Sequence, residues 1–285
     1  MKAYWKKYEL HFKRPAKTSR GEYKSRTVWY LFLEKEGVTG VGECAPMPGL
    51  SPESPQQVET LLNAIRTDPE HYLWSAELTK HVPSVHFALE TAWFDLDSGG
   101  KQQLFPSDFS TGKAGIKING LVWMGDAEYM QQQITEKMNA GFRCIKLKIG
   151  GTDFEKELEL LQSVRRAYPS SQLTLRLDAN GAFHPAEAMG KLNQLAPLQI
   201  HSIEQPVAAG QWEAMAHICR SSPIPVALDE ELIGIYETEE KKKLLDAIKP
   251  QYLILKPSLH GGLSGCNEWI ELTQNRSTGW WITSY

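Results

Sequence analysis

The chain has 285 residues and a formal net charge of −3 at pH 7, and 23% of its residues are charged. This near balance, without a long block of like charge, argues against a nucleic acid or an anionic membrane as the partner. The four cysteines are scattered without a C-x-x-C spacing, the N-terminus has no signal-like apolar segment, and no apolar run could cross a bilayer, so we expect a cytoplasmic protein.

The first part of the chain predicts an α+β domain, residues 1–110, in which a small sheet precedes helices. Residues 14–25 are polar and contain glycine, and we interpret them as a long loop between the first two strands. Ser54-Pro55 predicts a helix start, because serine caps a helix and proline suits its first turn. The predicted elements are strands at 3–13, 27–34 and 38–41 and helices at 55–66 and 84–97.

The remainder, residues 111–285, predicts an α/β fold, a TIM barrel of the (β/α)7β type. After a strand at 116–122, five short apolar runs each end on a charged residue, and the steps between these ends are 30, 26, 25 and 27 residues. Each step accommodates one strand, one helix and two loops, which is the repeat of such a barrel. The charged ends are Lys148, Asp178, Glu204, Asp229 and Lys256.

A strand at 280–284 would be the seventh, and an eight-position barrel requires one further helix and strand to close. An open barrel would expose an unpaired strand edge. We therefore expect that this sequence lacks its true C-terminus and, with it, the last barrel strand. The alternative is that another segment covers the edge.

The five charged ends should meet, because a barrel carries the C-terminal ends of all its strands on one face. Three clustered carboxylates repel one another unless a cation lies among them, and oxygen ligands on separate strands suit a hard ion such as Mg²⁺. Asp178, Glu204 and Asp229 are therefore the candidate metal ligands. The alternative is that each acid is a solvated strand end with a local ion pair, but chance would not repeat the same phase five times.

Taken together, these motifs resemble the enolase superfamily and, more narrowly, its muconate-lactonising branch. The matching stretches are Lys146-Leu147-Lys148, Asp178-Ala179-Asn180-Gly181, Glu204-Gln205-Pro206, Asp229-Glu230, Leu255-Lys256-Pro257 and the capping-domain loop Gly42-Glu43-Cys44-Ala45-Pro46. The resemblance implies that Lys148 and Lys256 are the catalytic lysines and that the three acids hold Mg²⁺ or Mn²⁺. It also implies that Lys146 contacts the substrate carboxylate, the alternative being a simple spacer charge.

Two stretches, 42–51 and 256–262, resemble the members of this branch that form o-succinylbenzoate in menaquinone biosynthesis. The implied reaction is that of a carbon–oxygen lyase. Lys148 removes a proton α to a carboxylate, and water is eliminated from a cyclohexadiene carboxylate that bears a succinyl group. Lys148 must be neutral to accept the proton, and the nearby charges of Lys146 and Mg²⁺ favour its neutral form. Lys256 would stay protonated and stabilise the developing negative charge.

The loop 14–25 is a candidate lid whose Arg20 or Arg26 meets the succinyl carboxylate, although an ordinary exposed loop would have the same composition. Ser284 is a further candidate substrate contact. Supporting or structural roles are expected for three neighbours of the principal positions, Asn180, Glu230 and His260.

Three other functions compete with this interpretation. A racemase of N-acylamino acids or an epimerase of dipeptides would use the same two lysines to exchange protons. A non-catalytic protein with a vestigial barrel is disfavoured because all five charged positions are present. A nucleotide-binding α/β protein is disfavoured because no G-x-G-x-x-G or P-loop sequence follows a strand. We expect a small-molecule carboxylate as the substrate, and the oligomeric state stays open.

Overall fold

The computed structural model describes residues 1–18, 21–123, 125–151 and 153–283, including their side chains except at positions 14, 16–18 and 127. The N-terminal sheet is antiparallel, and its strands are β1 (Lys2–Thr18), β2 (Gly21–Lys35) and β3 (Val38–Cys44), in that order. The turn between β2 and β3 is formed by Glu36 and Gly37.

The prediction of a loop at 14–25 is wrong for the residues that the structure describes there. Residues 14–18 continue β1 and residues 21–25 continue β2, with Ala16 paired to Tyr23 and a register shift after His11. A two-stranded ribbon satisfies its backbone hydrogen bonds whatever its side chains are, and its exposed faces tolerate polar residues. The polar composition therefore does not exclude a strand.

Helices α1 (Pro55–Thr67) and α3 (Pro83–Asp97) pack against this sheet, and the short helix α2 (Pro69–Leu73) lies against both of them. Helix α1 begins with a capping box, in which the Ser54 side chain accepts from the Gln57 amide and the Gln57 side chain accepts from the Ser54 amide. The buried apolar core of this part consists of Ala3, Trp29, Leu31, Leu33, Cys44, Val58, Leu62, Ile65, Val85, Ala88, Leu89, Ala92 and Leu96.

The second sheet has seven parallel strands in chain order, which matches the predicted β/α repeat. Its strands are β4 (Gly120–Val122), β5 (Cys144–Lys148), β6 (Thr174–Asp178), β7 (Ser202–Glu204), β8 (Val226–Leu228), β9 (Tyr252–Leu255) and β10 (Gly279–Ile282). The helices between them are α4 (Ala127–Asn139), α5 (Phe154–Ala167), α6 (Pro185–Leu195), α7 (Trp212–Ser221), α8 (Thr238–Ile248) and α9 (Gly262–Thr273). Within the described ranges, no helix is both long and apolar enough to cross a membrane.

Alternation along these strands separates core residues from cavity residues. On β5, Ile145 and Leu147 are fully buried in the apolar core, whereas Lys146 and Lys148 line a cavity on the inner face of the sheet. The same alternation on β6 places Leu175 in the core. The sheet therefore buries one face against its helices and presents its charged residues on the other.

The outer strands of this sheet, β4 and β10, do not pair with each other in the described part of the chain. Strand β4 is shorter than the predicted strand at 116–122, and Ile116 and Ile118 before it are exposed. The expected closing strand and the domain boundary near residue 110 stay predictions.

Candidate active site

The strand register brings the predicted charged residues together. Lys148 is paired across the sheet with Asp178, and Asp178 with Glu204, because each is the last residue of its strand. Asp229 and Lys256 directly follow β8 and β9. The resulting site faces a cavity of about 1440 Å³, which is large enough for a small organic substrate.

The three carboxylates are almost fully buried and are all engaged by lysines. The exposed fractions of Asp178, Glu204 and Asp229 are 0%, 3% and 1%. Lys146 Nζ lies 2.6 Å from Glu204 Oε1 and 2.8 Å from Asp178 Oδ2. Lys256 Nζ lies 2.6 Å from Asp229 Oδ1. Buried acids of this kind are tolerated only when cations face them.

The direction of the pKa shift differs among the three acids. Burial acts to raise the pKa of Asp178, but Lys146 and Lys148 outweigh it and hold the pKa below its ordinary value. Burial is likewise outweighed at Asp229, where Lys256 and Lys146 lower the pKa to about 2. At Glu204, burial and then the charge of Asp178 raise the pKa well above its ordinary value. Glu204 is therefore the one of the three carboxylates that keeps its proton to the highest pH.

Two of the three lysines are held in the charged form. Burial acts to lower the pKa of Lys146, but Glu204, Asp178 and Asp229 raise it above its ordinary value. The pKa of Lys256 is also raised, because Asp229 and Glu204 outweigh the opposing effect of burial. These lysines are therefore suited to stabilising negative charge rather than to accepting a proton.

Lys148 has a different environment. Its Nζ donates to the amide oxygen Oδ1 of Asn180 at 2.7 Å and lies farther from Asp178 Oδ2, at 3.3 Å. Asn180 in turn donates through Nδ2 to Glu230 Oε1 at 3.0 Å. A neutral amide oxygen can accept from a lysine without fixing its charge, which is what a proton-accepting lysine requires.

Only supporting roles were predicted for Asn180 and Glu230, yet the structure places both on the wall of the cavity, with Asn180 bonded directly to Lys148. Asn180 follows Asp178 by two residues and has a positive φ of 44°, so strand alternation does not fix where its side chain lies. Glu230 begins a 3₁₀ turn after β8, so strand alternation does not extend to it. Their closeness in sequence to Asp178 and Asp229 was the signal that could have drawn attention to them.

Arg176 is a further cavity residue that the sequence interpretation missed. It precedes Asp178 by two residues on β6 and lies on the same face of the strand. Its guanidinium lies 4.0 Å from the centre of the Trp281 ring on β10. Strand alternation backwards from Asp178 would have identified it.

The structure describes only some of the residues that were predicted to contact the substrate. Arg20 and Ser284 lie outside the described residues. Arg26 lines the cavity and donates to the carbonyl oxygen of Ala45. Tyr23 also reaches the cavity wall from the N-terminal sheet. The N-terminal part of the chain therefore contributes to the cavity that the barrel strands open into.

His260 supports Lys256 from behind and does not line the cavity. The backbone N–H of Lys256 donates to His260 Nδ1 at 3.1 Å, and the ring is fully buried. Burial lowers the pKa of His260 to about 3, so the ring is neutral. Its role in the described structure is to fix the backbone at Lys256.

The donor set fits a divalent cation. In the part of the chain that the structure describes, no three His, Cys, Asp or Glu side chains form a ready-made metal cluster. Asp178, Glu204 and Asp229 nevertheless offer oxygen donors from three successive strands, the chemistry that Mg²⁺ prefers. The raised pKa of Glu204 shows that a further cation beside it would stabilise its ionised form.

Comparison with known proteins agrees with this geometry. Residues 129–284 match the family model described as enolase C-terminal domain-like, and residues 2–96 match that of the MenC N-terminal domain. The o-succinylbenzoate synthase of Desulfotalea psychrophila is 42% identical over 316 residues, covering 100% of this chain and 86% of the relative. The chain belongs to the o-succinylbenzoate synthase family. The predicted resemblance to the enolase superfamily is thereby confirmed.

Solved structures of the o-succinylbenzoate synthase family share the fold. MenC from Desulfotalea psychrophila superposes with a TM-score of 0.87 at 39% identity, covering 100% of this chain and 86% of that one. The o-succinylbenzoate synthase from Thermosynechococcus elongatus, complexed with Mg in the active site, gives 0.80 at 25% identity, covering 100% and 84%. An N-succinylamino acid racemase from Thermus thermophilus is 28% identical over 89% of this chain and 70% of its own length.

Proposed function

We propose that this protein is an o-succinylbenzoate synthase, a metal-dependent carbon–oxygen lyase of menaquinone biosynthesis. Its substrate is a cyclohexadiene carboxylate that bears a succinyl group and a ring hydroxyl. The observation that carries the proposal is that Lys148 and Lys256 line one cavity together with Asp178 and Asp229, beside the buried carboxylate of Glu204. The relative of 42% identity supports the choice of this reaction within the superfamily.

Lys148 is the proton acceptor in this proposal. Its neutral amine removes the proton α to the substrate carboxylate, and the bond to Asn180 orients Nζ. The electrons of the broken C–H bond form the enediolate, which expels the ring hydroxyl as the ring becomes aromatic. Lys148 then returns its proton to the departing hydroxyl, so that water leaves and the amine is neutral again.

Lys256 remains protonated throughout. Asp229 holds its ammonium at 2.6 Å, and its raised pKa keeps it charged at neutral pH. A fixed cation in a buried site stabilises negative charge that develops on the substrate, without having to reorganise during the reaction. This role differs from that of a second base, which would have to release its proton.

Asp178, Glu204 and Asp229 would hold the Mg²⁺ or Mn²⁺ ion. When bound, the ion supplies Lewis-acid stabilisation of the negative charge on the substrate carboxylate. Lys146, which joins Asp178 to Glu204, is the further cation that we propose meets this carboxylate. The α-proton of a carboxylate is too weakly acidic for a lysine alone, so several cations must share the developing charge.

The N-terminal part, residues 1–110, acts in this proposal as a capping domain over the barrel at 111–285. Arg26 lines the cavity, and in this proposal its guanidinium meets the succinyl carboxylate. Arg20 and Ser284 remain proposed substrate contacts, and closure of the segment 14–25 over the site is also part of the proposal.

A second candidate function is the racemisation of N-succinylamino acids, the activity named for the Thermus thermophilus relative. Lys148 and Lys256 both line the cavity, and two lysines on opposite sides of a substrate are what a two-base racemase requires. The lower identity of this relative places the racemase second.

A spectrophotometric assay tests the proposed function. The protein is mixed with the succinyl cyclohexadiene substrate in the presence of Mg²⁺ or of a chelator. We expect the diene absorbance to be lost with Mg²⁺ and to persist with the chelator. An unchanged absorbance, together with racemisation of N-succinylamino acids, would move the function to the second candidate.

A further inference from the structure

Helix α9 lacks an N-terminal cap from its own sequence. Its N-cap residue is Gly261, which has no side chain to accept from the first helical amides. The carboxylate of Glu90 on α3 takes this place. It accepts from the backbone N–H of Leu263 and from that of Ser264, the latter at 3.1 Å. A residue of the N-terminal part thus caps a helix of the second sheet.

Gly262 allows this approach. Its φ of +77° lies in the left-handed region, which disfavours other residues. A Cβ at this position would also overlap the carboxylate of Glu90 and the ring of His86. The sequence interpretation placed the glycine pair after His260 in the 256–262 motif, and Gly262 of this pair makes room for a carboxylate from another part of the chain.

His86 completes the arrangement. Its Nε2 lies 3.3 Å from Glu90 Oε1 and 3.1 Å from Ser264 Oγ, and the residue is buried. We refer to Glu90, His86, Leu263 and Ser264 as the α3–α9 latch. Both oxygens of the Glu90 carboxylate accept a backbone N–H in this latch, which joins positions 173 and 174 residues apart in the sequence.

The latch is connected to Lys256 by a short and internally bonded loop. The N–H of Gly262 donates to the carbonyl of Pro257 at 2.8 Å, and that of His260 to the carbonyl of Lys256 at 3.0 Å. His260 closes the loop by accepting from the N–H of Lys256. A loop bonded at both ends transmits a displacement of its helix to Lys256 rather than absorbing it.

We propose that Glu90 is a positioning residue that sets the place of the Lys256 ammonium through the latch. This role depends on the proposed function only in that Lys256 is the lysine whose position matters to the reaction. Glu90 itself does not line the cavity. A purely structural contact would stabilise the fold without changing the turnover number of the folded protein, and this difference is measurable.

The variants are Glu90→Ala and Glu90→Gln, with Glu59→Ala as the matched control. Glu59 is also a glutamate of the N-terminal part, but its carboxylate accepts from Lys7 and Trp29 and does not touch α9. The Glu90 variants keep a second contact between the two parts, the ion pair of Lys80 with Glu237 at 2.6 Å. Glutamine keeps one acceptor oxygen, so its effect should be the smaller.

Two measurements are made on each folded variant: kcat and KM, and amide hydrogen exchange in the peptide covering residues 256–266. We expect Glu90→Ala to lower kcat by about tenfold with KM changed less than about twofold, because a sub-ångström shift of a catalytic group affects mainly turnover. Exchange in the peptide should be faster. Glu90→Gln should fall between alanine and wild type, and Glu59→Ala should match wild type in both readouts.

An unchanged kcat in Glu90→Ala, with or without a change in exchange, would overturn the positioning role. A kcat loss equal to that of Glu59→Ala would do the same. Wild-type turnover tests the proposed function separately. If the wild-type protein turns over only N-succinylamino acids, the proposed synthase function fails. The kcat ratios of the variants to wild type are then measured on the racemisation, in which Lys256 also takes part.

Discussion

The lysines of the site differ in what surrounds their Nζ atoms, and this difference supports the roles that we propose for them. Lys146 and Lys256 contact buried carboxylates at 2.6 Å, and both have a raised pKa. The nearest acceptor of Lys148 is the neutral amide of Asn180. The contacts of the three lysines therefore suit a reaction in which one lysine accepts a proton and the other two stay charged.

Replacing Lys148 by alanine tests this assignment. We expect kcat to fall by at least about 10²-fold, since the proton acceptor is removed, while Mg²⁺ binding stays close to that of the wild type. Kinetics and calorimetric metal titration measure the two properties. The control is Lys242→Ala, which removes a lysine paired with Glu239 on the surface of α8. Retained turnover in the Lys148 variant would contradict the role.

The raised pKa of Glu204 predicts a pH dependence of metal binding. A group whose pKa is raised holds its proton to higher pH, and that proton must leave before the carboxylate binds Mg²⁺. The affinity should therefore rise as the pH increases above the ordinary pKa of a glutamate, with proton release detectable by calorimetry in two buffers. Asp178 and Asp229, whose pKa values are lowered, are already ionised there and add no such slope.

The control for this titration is Glu53→Gln. Glu53 is a buried glutamate whose pKa is also raised by burial, but it bonds to the Ser84 amide in the N-terminal part. The pH slope of Mg²⁺ affinity should survive in this variant. An affinity that is flat or falls with rising pH in the wild type would contradict the ionisation state assigned to Glu204.

At the scale of residues, the sequence predicts the position of side chains well at strand ends and poorly in the turns that follow them. Asp178 and Glu204 are fixed by strand register, so the spacing of apolar runs was sufficient to place them together. Asn180 and Glu230 lie beyond strand ends, where side-chain direction depends on backbone angles that no periodic pattern reports.

At the scale of secondary-structure elements, strands β5 and β6 each have an apolar side that packs in the core and a charged side that lines the cavity. Leu175 illustrates the first, since it is fully buried between β6 and the helices while its neighbour Arg176 lines the cavity. Stability and chemistry therefore depend on alternate residues of the same strand.

Leu175→Ala should lower the free energy of unfolding by about 2–5 kcal/mol, because it leaves a cavity in a closely packed core. Denaturant unfolding measures the change. Ile118→Ala is the control, since Ile118 is largely exposed, and it should change stability by less than about 0.5 kcal/mol. Equal effects of the two substitutions would show that the apolar face of β6 is not the core described.

The sequence predicts elements that have a local motif, such as a helix cap. It does not predict strands that are held only by backbone pairing with a neighbouring strand. Ser54 and Pro55 alone were enough to predict the start of α1, where Ser54 and Gln57 form the capping box. The hairpin formed by residues 14–18 and 21–25 was missed, because its strands are held by backbone pairing and not by an apolar pattern.

At the scale of the whole molecule, the cavity is shared by the two parts of the chain. Tyr23 and Arg26 reach it from the N-terminal sheet, and Lys148 and Asp178 from the barrel strands. The α3–α9 latch holds the two parts together near Lys256. A contact between residues this far apart in sequence has no local signature, which is why the latch emerges only from the structure.

The measurement that tests the central claim most directly is the reaction of the wild-type protein with Mg²⁺ in D₂O, followed by mass spectrometry of product and recovered substrate. A dehydrating synthase should convert the succinyl cyclohexadiene substrate to o-succinylbenzoate and leave little deuterium in the substrate that remains. The contradicting result is no such product, with deuterium entering the α position of N-succinylamino acids. That outcome would keep Lys148, Lys256 and the three carboxylates as the site but assign them to racemisation.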